Sequence, residues 1–197
     1  MQKLFSNTHL KSGVKYITGD IARLGNDKTV VYVWDGLKVI DIQSKNVSRI
    51  NESVNLINSL KKKYNVNTHN IIVDEDGVGG GVVDYLKCQG FVNNARPIKN
   101  KGVLENFTNL KTQCYYKLAE IINRNEMYVN CTEEEERLLS EELEWVKLPK
   151  EIDTSKISLL GKDEVKKQIG RSPDYSDALM MRCYFELNAN KGKYFIR

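Results

Sequence analysis

Cysteine is sparse and unpatterned. Cys88, Cys114, Cys131 and Cys183 form no CxxC pair, and only His9 and His69 could join them as ligands. That argues against structural zinc and leaves unpaired thiols, mostly small core residues of a protein in a reducing compartment. No apolar run approaches the ~18 residues that span a bilayer, and no charged segment followed by an apolar one opens the chain, so no membrane partner is expected. A strong charge of one sign is also missing: the net charge of +4 does not by itself point to nucleic acid. The glycine-rich stretch around Gly77, Gly79, Gly80 and Gly81 lacks the Gly-Lys-Ser/Thr of a phosphate-binding loop, so the chain carries no such motor. Internal repeats and low-complexity segments are absent.

What remains is 197 residues with 41% hydrophobic content, enough for one sizeable core. The expected partition is a linker or boundary segment over 1–13, one domain over 14–190 and a tail over 191–197. Charge is polarised within that domain. Glu133 to Glu136, Glu141, Glu142 and Glu144 crowd one stretch, whereas Lys156, Lys162, Lys166, Lys167 and Arg171 crowd the next.

Residues 14–20, 29–35 and 37–43 are rich in Val, Ile, Tyr and Trp and read as three antiparallel strands, with Asp35-Gly36 as a hairpin signal. Ile50, Val54, Ile57, Leu60 and Tyr64 fall at helical spacing, and residues 70–74 read as a short buried strand. A glycine-rich turn then leads into a helix ending near Gly90, with a further strand over 95–98. Residues 110–124 are an amphipathic helix, residues 127–131 are extended, and Thr132 with Glu135 forms a capping box for a helix through Trp145. A short strand is read at 156–160. Ser172 as N-cap and Pro173 in the first turn open a final helix to about Asn188. The order predicts an α/β fold whose mixed sheet has three antiparallel strands followed by parallel ones, flanked by helices.

Three acidic stations stand out on this frame: Asp20 and Asp74 each end a strand, and Asp177 lies early in the last helix. A sheet with the first strand central brings all three to one edge, where carboxylates suit hard divalent cations. Each has a plainer reading as a turn or helix-start residue. Asp76 precedes glycine and fits a turn, and Asp174 suits the positive end of a helix; both are candidates for a supporting position beside the metal. Arg23, Lys28, Lys99, Lys101, Lys162, Lys166 and Arg171 lie close to these stations and are candidates for phosphate contact. Tyr115, Tyr116 and Trp145 are read as core.

Ile17-Thr18-Gly19-Asp20, Ile72-Val73-Asp74-Glu75-Asp76-Gly77-Val78-Gly79-Gly80-Gly81 and Ser172-Pro173-Asp174-Tyr175-Ser176-Asp177-Ala178-Leu179, in this order, resemble the nuclease domain of the phage terminase large subunit, whose fold is RNase H-like. The resemblance covers roughly residues 15–187. It implies an endonuclease that cuts concatemeric double-stranded viral DNA during genome packaging, using two divalent cations, Mg2+ or Mn2+. Asp20 would match the aspartate that bridges both ions, and Asp74 and Asp177 the aspartates that complete one each. It further implies an N-terminal ATPase domain absent from this chain, a portal protein and a small terminase subunit as partners, and action in the cytoplasm of an infected or lysogenic bacterial host. The competing readings are a resolvase or transposase-type nuclease, an actin- or sugar-kinase-like ATP-binding domain, and a DNA-binding module without catalysis. Metal-dependent cutting separates the terminase and resolvase readings from the DNA-binding module, and ATP binding would mark the kinase-like domain.

Overall fold

Val30, Val31, Tyr32, Val33 and Trp34 form an unbroken apolar run, and all five are fully buried because the strand they form is covered on both faces. A computed structural model describes residues 2–22, 27–46, 49–100, 102–147 and 156–189. Its sheet has six strands in the order β5-β4-β1-β2-β3-β6. They are β1 (Lys15–Asp20), β2 (Thr29–Asp35), β3 (Lys38–Lys45), β4 (Ile71–Asp74), β5 (Gln89–Phe91) and β6 (Tyr128–Val129). β1, β2 and β3 are antiparallel, while β4 joins β1, β5 joins β4 and β6 joins β3 in parallel. This is the mixed sheet the sequence predicts.

Strand alternation divides the core. Ile17, Val31, Val33, Ile71 and Val73 face α1 (Ile50–Tyr64) and α2 (Gly79–Leu86). Val30, Tyr32, Trp34 and Ile72 face the other layer, made by α3 (Leu110–Asn123), α4 (Glu133–Glu144), α6 (Asp174–Met180) and α7 (Arg182–Asn188), with α5 (Lys162–Ile169) alongside α4. Even-numbered positions of β1 and β4 therefore look toward α6, as the bond from Trp34 Nε1 to Thr18 Oγ1 (3.0 Å) shows. Among the described residues, no helix is long and apolar enough to cross a membrane.

Several local expectations change. The strand after α2 is β5, a glycine-centred segment with no alternation to reveal it, whereas Ala95 and Ile98 lie in a loop tied to α3 by Leu110 N–H and by the Gln113 side chain. The stretch 156–160 makes only an isolated bridge, between Ile157 and Phe107. Leu4, in the opening segment read as a linker, is 2% exposed and packs into the main core. The expected tail lies outside the described residues. Ser172 does not cap the last helix, because its hydroxyl donates to Asp27 Oδ1 (2.8 Å), and the helix is divided at Met181 into α6 and α7. The capping box at Thr132 and Glu135 is present as expected.

α6 is buried along its whole length and is fastened by α4. Glu142, 0% exposed, accepts from Ser176 N–H (2.6 Å) and from Arg171 Nη1. Arg171 Nη2 also donates to Glu141 Oε2 (2.8 Å) and the Leu138 carbonyl (3.0 Å). Burial pushes Glu142 up to about 7, against the opposing pull of the Ser176 N–H and Arg171. A carboxyl whose folded-state pKa exceeds its unfolded value of about 4.5 contributes stability that is full below that value and is lost as pH rises through about 7. Urea unfolding across pH 4.5 to 7.5 should therefore show the wild type losing about 1–3 kcal/mol relative to Glu142→Gln. A constant difference between the two proteins across that window would mean that Glu142 stays ionised throughout.

Candidate active site

β1 and β4 run parallel with Gly19 opposite Val73, so Asp20 and Asp74 follow side by side at the ends of the two strands. Both occupy positions on the face covered by α6, whose first turns carry Asp174 and Asp177. Two strand ends and one helix start thus place four aspartates from three distant segments together. Asp20, Asp174 and Asp177 are only 3–5% exposed, and Asp74 is half-buried.

The local backbone enforces this. Gly77, with φ +79°, turns the chain after β4, and Gly79 begins α2 hard against the strand end. A Cβ on Gly79 would sit 1.6 Å from the Asp74 carbonyl oxygen, so no other residue permits that approach. Asp74 Oδ1 accepts from Asp76 N–H (3.0 Å) and Asn93 Nδ2 (3.1 Å), and Asp76 Oδ2 accepts from Asn93 N–H (3.0 Å) and Nδ2 (2.8 Å). Asp174 Oδ2 accepts from Lys28 N–H (2.7 Å).

Asp177 is the most heavily partnered of the four aspartates. Lys111 Nζ lies 2.7 Å from its Oδ1, Tyr115 Oη donates to Oδ1 at 2.7 Å, and Lys162 Nζ is 3.7 Å from Oδ2. Lys111 and Tyr115 are four residues apart on α3, hence on one face. Burial acts to raise Asp177, but Lys111 and Lys162 outweigh it and hold the carboxyl below its ordinary value. Asp20 goes the other way. Burial pushes it well above the usual range, with Asp177, Asp174 and Asp74 adding to the rise and Lys162 opposing it. Burial likewise raises Asp74 and Asp174. Burial works against the charge on Lys162, yet the four aspartates around it win and raise its pKa.

Among the described residues, no three His, Cys, Asp or Glu side chains converge as a ready-made metal cage. Lysine ammonium groups stand among the carboxylates instead. Two cavities open here. One of about 140 Å3 is lined by Asp20, Asp27 and Asp174, and one of about 480 Å3 by Asp177, Lys111 and Tyr115; Asp74, Asp76 and Lys162 border both. The donor set still suits a hard dication: all-oxygen side chains, no thiolate or imidazole, and one aspartate whose ionisation is suppressed by burial and by three acidic neighbours.

The basic candidates divide. Lys162 stands in the cluster, and Lys166 borders it through Asp27 (3.0 Å) and Ser172. Lys28 contributes its backbone to Asp174, with Nζ 5.8 Å from the Tyr175 ring centroid. Lys99 is exposed beside a different cavity, with Lys117, Glu105, Glu120 and Glu186. Arg171 was expected to reach phosphate but is turned inward, because the acidic side chains of α4 and the Leu138 carbonyl take its donors. Arg23 and Lys101 lie outside the described residues. Lys111, Tyr115 and Asn93 were missed. The first two carry the amphipathic spacing of any packed helix, and the available signal was their position four apart after the Asn109 N-cap.

Comparison with solved structures places the whole arrangement. The nuclease domain of the large terminase subunit gp2 of bacterial virus Sf6 superposes with a TM-score of 0.80 over 92% of this chain and 94% of that one, at 21% identity. This chain has the terminase nuclease fold. A point mutant of the Sf6 domain with manganese and beta-thujaplicinol gives 0.79 at 21% identity, covering 92% and 94%. The large terminase nuclease of thermophilic phage G20c with bound magnesium gives 0.58 at 16%, covering 87% and 80%. Protein-family models and curated protein sequences give no match.

The electrostatics of this nuclease-like fold have a measurable consequence. Asp20 lies buried among like charges, so its ionised form destabilises the metal-free protein, and its contribution to stability declines as pH rises from about 4 toward its elevated folded-state pKa. Asp20→Asn should therefore raise the thermal midpoint in EDTA at pH 8, by roughly 2–4 °C per ~1 kcal/mol recovered. An unchanged or lowered midpoint by calorimetry would show that the carboxylate is already compensated.

Proposed function

We propose that this chain is the nuclease domain of a viral terminase large subunit, a metal-dependent endonuclease that cuts concatemeric double-stranded DNA during genome packaging. The observation that carries this reading is the meeting of Asp20, Asp74 and Asp177 at one sheet edge. The terminase nuclease fold supports it, as do the manganese and magnesium named with the Sf6 and G20c domains. Asp20, Asp74 and Asp177 are the residues that would hold two divalent cations, Mg2+ or Mn2+. When bound, those cations would supply positive charge at the scissile phosphate and a water acidic enough to attack near neutral pH.

The protein's own groups orient and neutralise. Tyr115 and Lys111 hold the Asp177 carboxylate in one direction, and the Asp76 N–H with Asn93 does the same for Asp74. Asp76 and Asp174 support the cluster from either side. Lys162, central among the aspartates, is placed to meet a phosphate oxygen as DNA enters, with Lys166 further out. Such backbone contacts give affinity with little base preference. In this reading an ATPase domain, a portal protein and a small terminase subunit are the working partners, in the cytoplasm of the bacterial host.

Plasmid digestion tests the proposal. With Mg2+ or Mn2+ the wild-type chain should nick and linearise supercoiled DNA, and EDTA should stop this reversibly. Asp20→Asn, Asp74→Asn and Asp177→Asn should each lower the rate by about 100-fold or more while circular dichroism stays native. Undiminished cutting by Asp20→Asn, or by wild type in excess EDTA, would overturn the assignment.

A further inference from the structure

The larger cavity at the carboxylates holds about 480 Å3, within the ~300–1,000 Å3 typical of sites that enclose a small molecule. An intact duplex keeps its bases stacked inside a rod of phosphates and cannot place one in such a recess. A single splayed nucleotide can. The cavity offers what a base requires, an apolar or aromatic surface for the ring face and polar groups for its edge. Trp145, at the end of α4, and Leu159 and Leu160, before α5, supply the first. The Asn94 side-chain NH2 and the Asn93 side-chain oxygen, in the loop after β5, supply the second, with Asn94 Oδ1 held by Asn109 Nδ2 (3.2 Å) and Asn93 Nδ2 by Asp74 and Asp76.

Cations complete it. Lys111 and Lys162 border the same space, where a strand entering toward Asp74 and Asp177 would bring its phosphates. The cavity beside Lys99 is smaller, about 300 Å3, and is bordered by none of the four clustered aspartates. Trp145 is half-buried, with Lys147 Nζ 4.5 Å from its ring centroid, and is thus not the core residue that its helical spacing suggests.

We propose that this cavity binds the base of an unpaired nucleotide next to the scissile phosphate, which makes splayed or single-stranded DNA the preferred partner of the site. The position of the scissile phosphate rests on the nuclease reading above; the base site itself does not need cutting to be seen.

The chain has two tryptophans, and Trp34 is fully buried in the core, so a ligand-induced change in fluorescence reports Trp145. The full chain in EDTA is titrated with a short thymidine oligonucleotide, an abasic oligonucleotide of the same length and a blunt duplex. The thymidine strand should change the emission saturably, while the abasic strand and the duplex bind at least several-fold more weakly. By anisotropy of a labelled strand, Trp145→Ala should lose about 5- to 100-fold in affinity, and Trp145→Phe should recover most of it. Equal binding of the abasic strand, equal binding of the duplex, or unchanged affinity of Trp145→Ala would overturn the base site. If the oligonucleotide binds as expected and the chain cuts no DNA with any dication, the nuclease reading alone falls. If it cuts DNA and Trp145 is silent, the base site alone falls.

Discussion

The fold is organised around a concentration of like charge that it must hold in place. Four aspartates are gathered where β1 and β4 end and α6 begins, with Lys111 and Lys162 as the cations in closest contact with them. Mutual repulsion would push α6 away from the sheet if nothing opposed it. Two attachments do. The apolar side of α6 packs into the main core through Ala178, Leu179 and Met180, and Glu142 of α4 receives the Ser176 N–H from beneath. Arg171 makes the second attachment possible, since an unpaired Glu142 at 0% exposure would cost several kcal/mol. A basic residue that looks outward-facing in the sequence is thus part of what holds the acidic cluster closed.

The opposite titration behaviour of Asp20 and Asp177, both buried, follows from Lys111 and Tyr115, which act on Asp177. Lys111 and Lys162 are drawn to Asp177, which stays ionised despite burial. Asp20 has Lys162 alone to oppose its burial, and burial with three acidic neighbours outweighs that one cation. A site in this condition accepts positive charge most strongly on the Asp20 side. That is where a proposed cation would be held, and where the smaller cavity opens among Asp20, Asp74 and Asp174.

Much of this was readable from the chain. The run from Val30 to Trp34, the Asp35-Gly36 turn and the helical spacing from Ile50 to Tyr64 are strong local patterns, and their elements sit where expected. Asp20 and Asp74 were visible because each ends an apolar strand, and the order of strands then made them neighbours. β5 was not visible, because three residues centred on Gly90 owe their strand geometry to pairing with β4 and not to propensity. α5 was hidden for a related reason: its lysines and acids read as a charge run, with Val165 as its one buried side chain. Arg171 and Lys111 show the limit most clearly. Both are basic residues near an acidic station, and only tertiary structure decides that one faces α4 and the other Asp177.

Charge on the outer surface narrows how a DNA strand would approach. Glu133, Glu134 and Glu136 in the first turn of α4 are exposed; the helix dipole favours them there, and a phosphate backbone would be repelled. Lys162, Lys166 and Lys167 outnumber Asp163 and Glu164 on α5, which packs beside α4, so the surface turns from strongly acidic to weakly basic between adjacent helices. In the proposed role, a strand drawn to α5 and excluded from the start of α4 would be led past Lys162 to the border of both cavities. Steering of this kind acts over about a Debye length, ~8 Å at physiological salt, so it acts in the last step of approach. The same acidic helix that anchors α6 from inside through Glu142 therefore limits access from outside through its first turn.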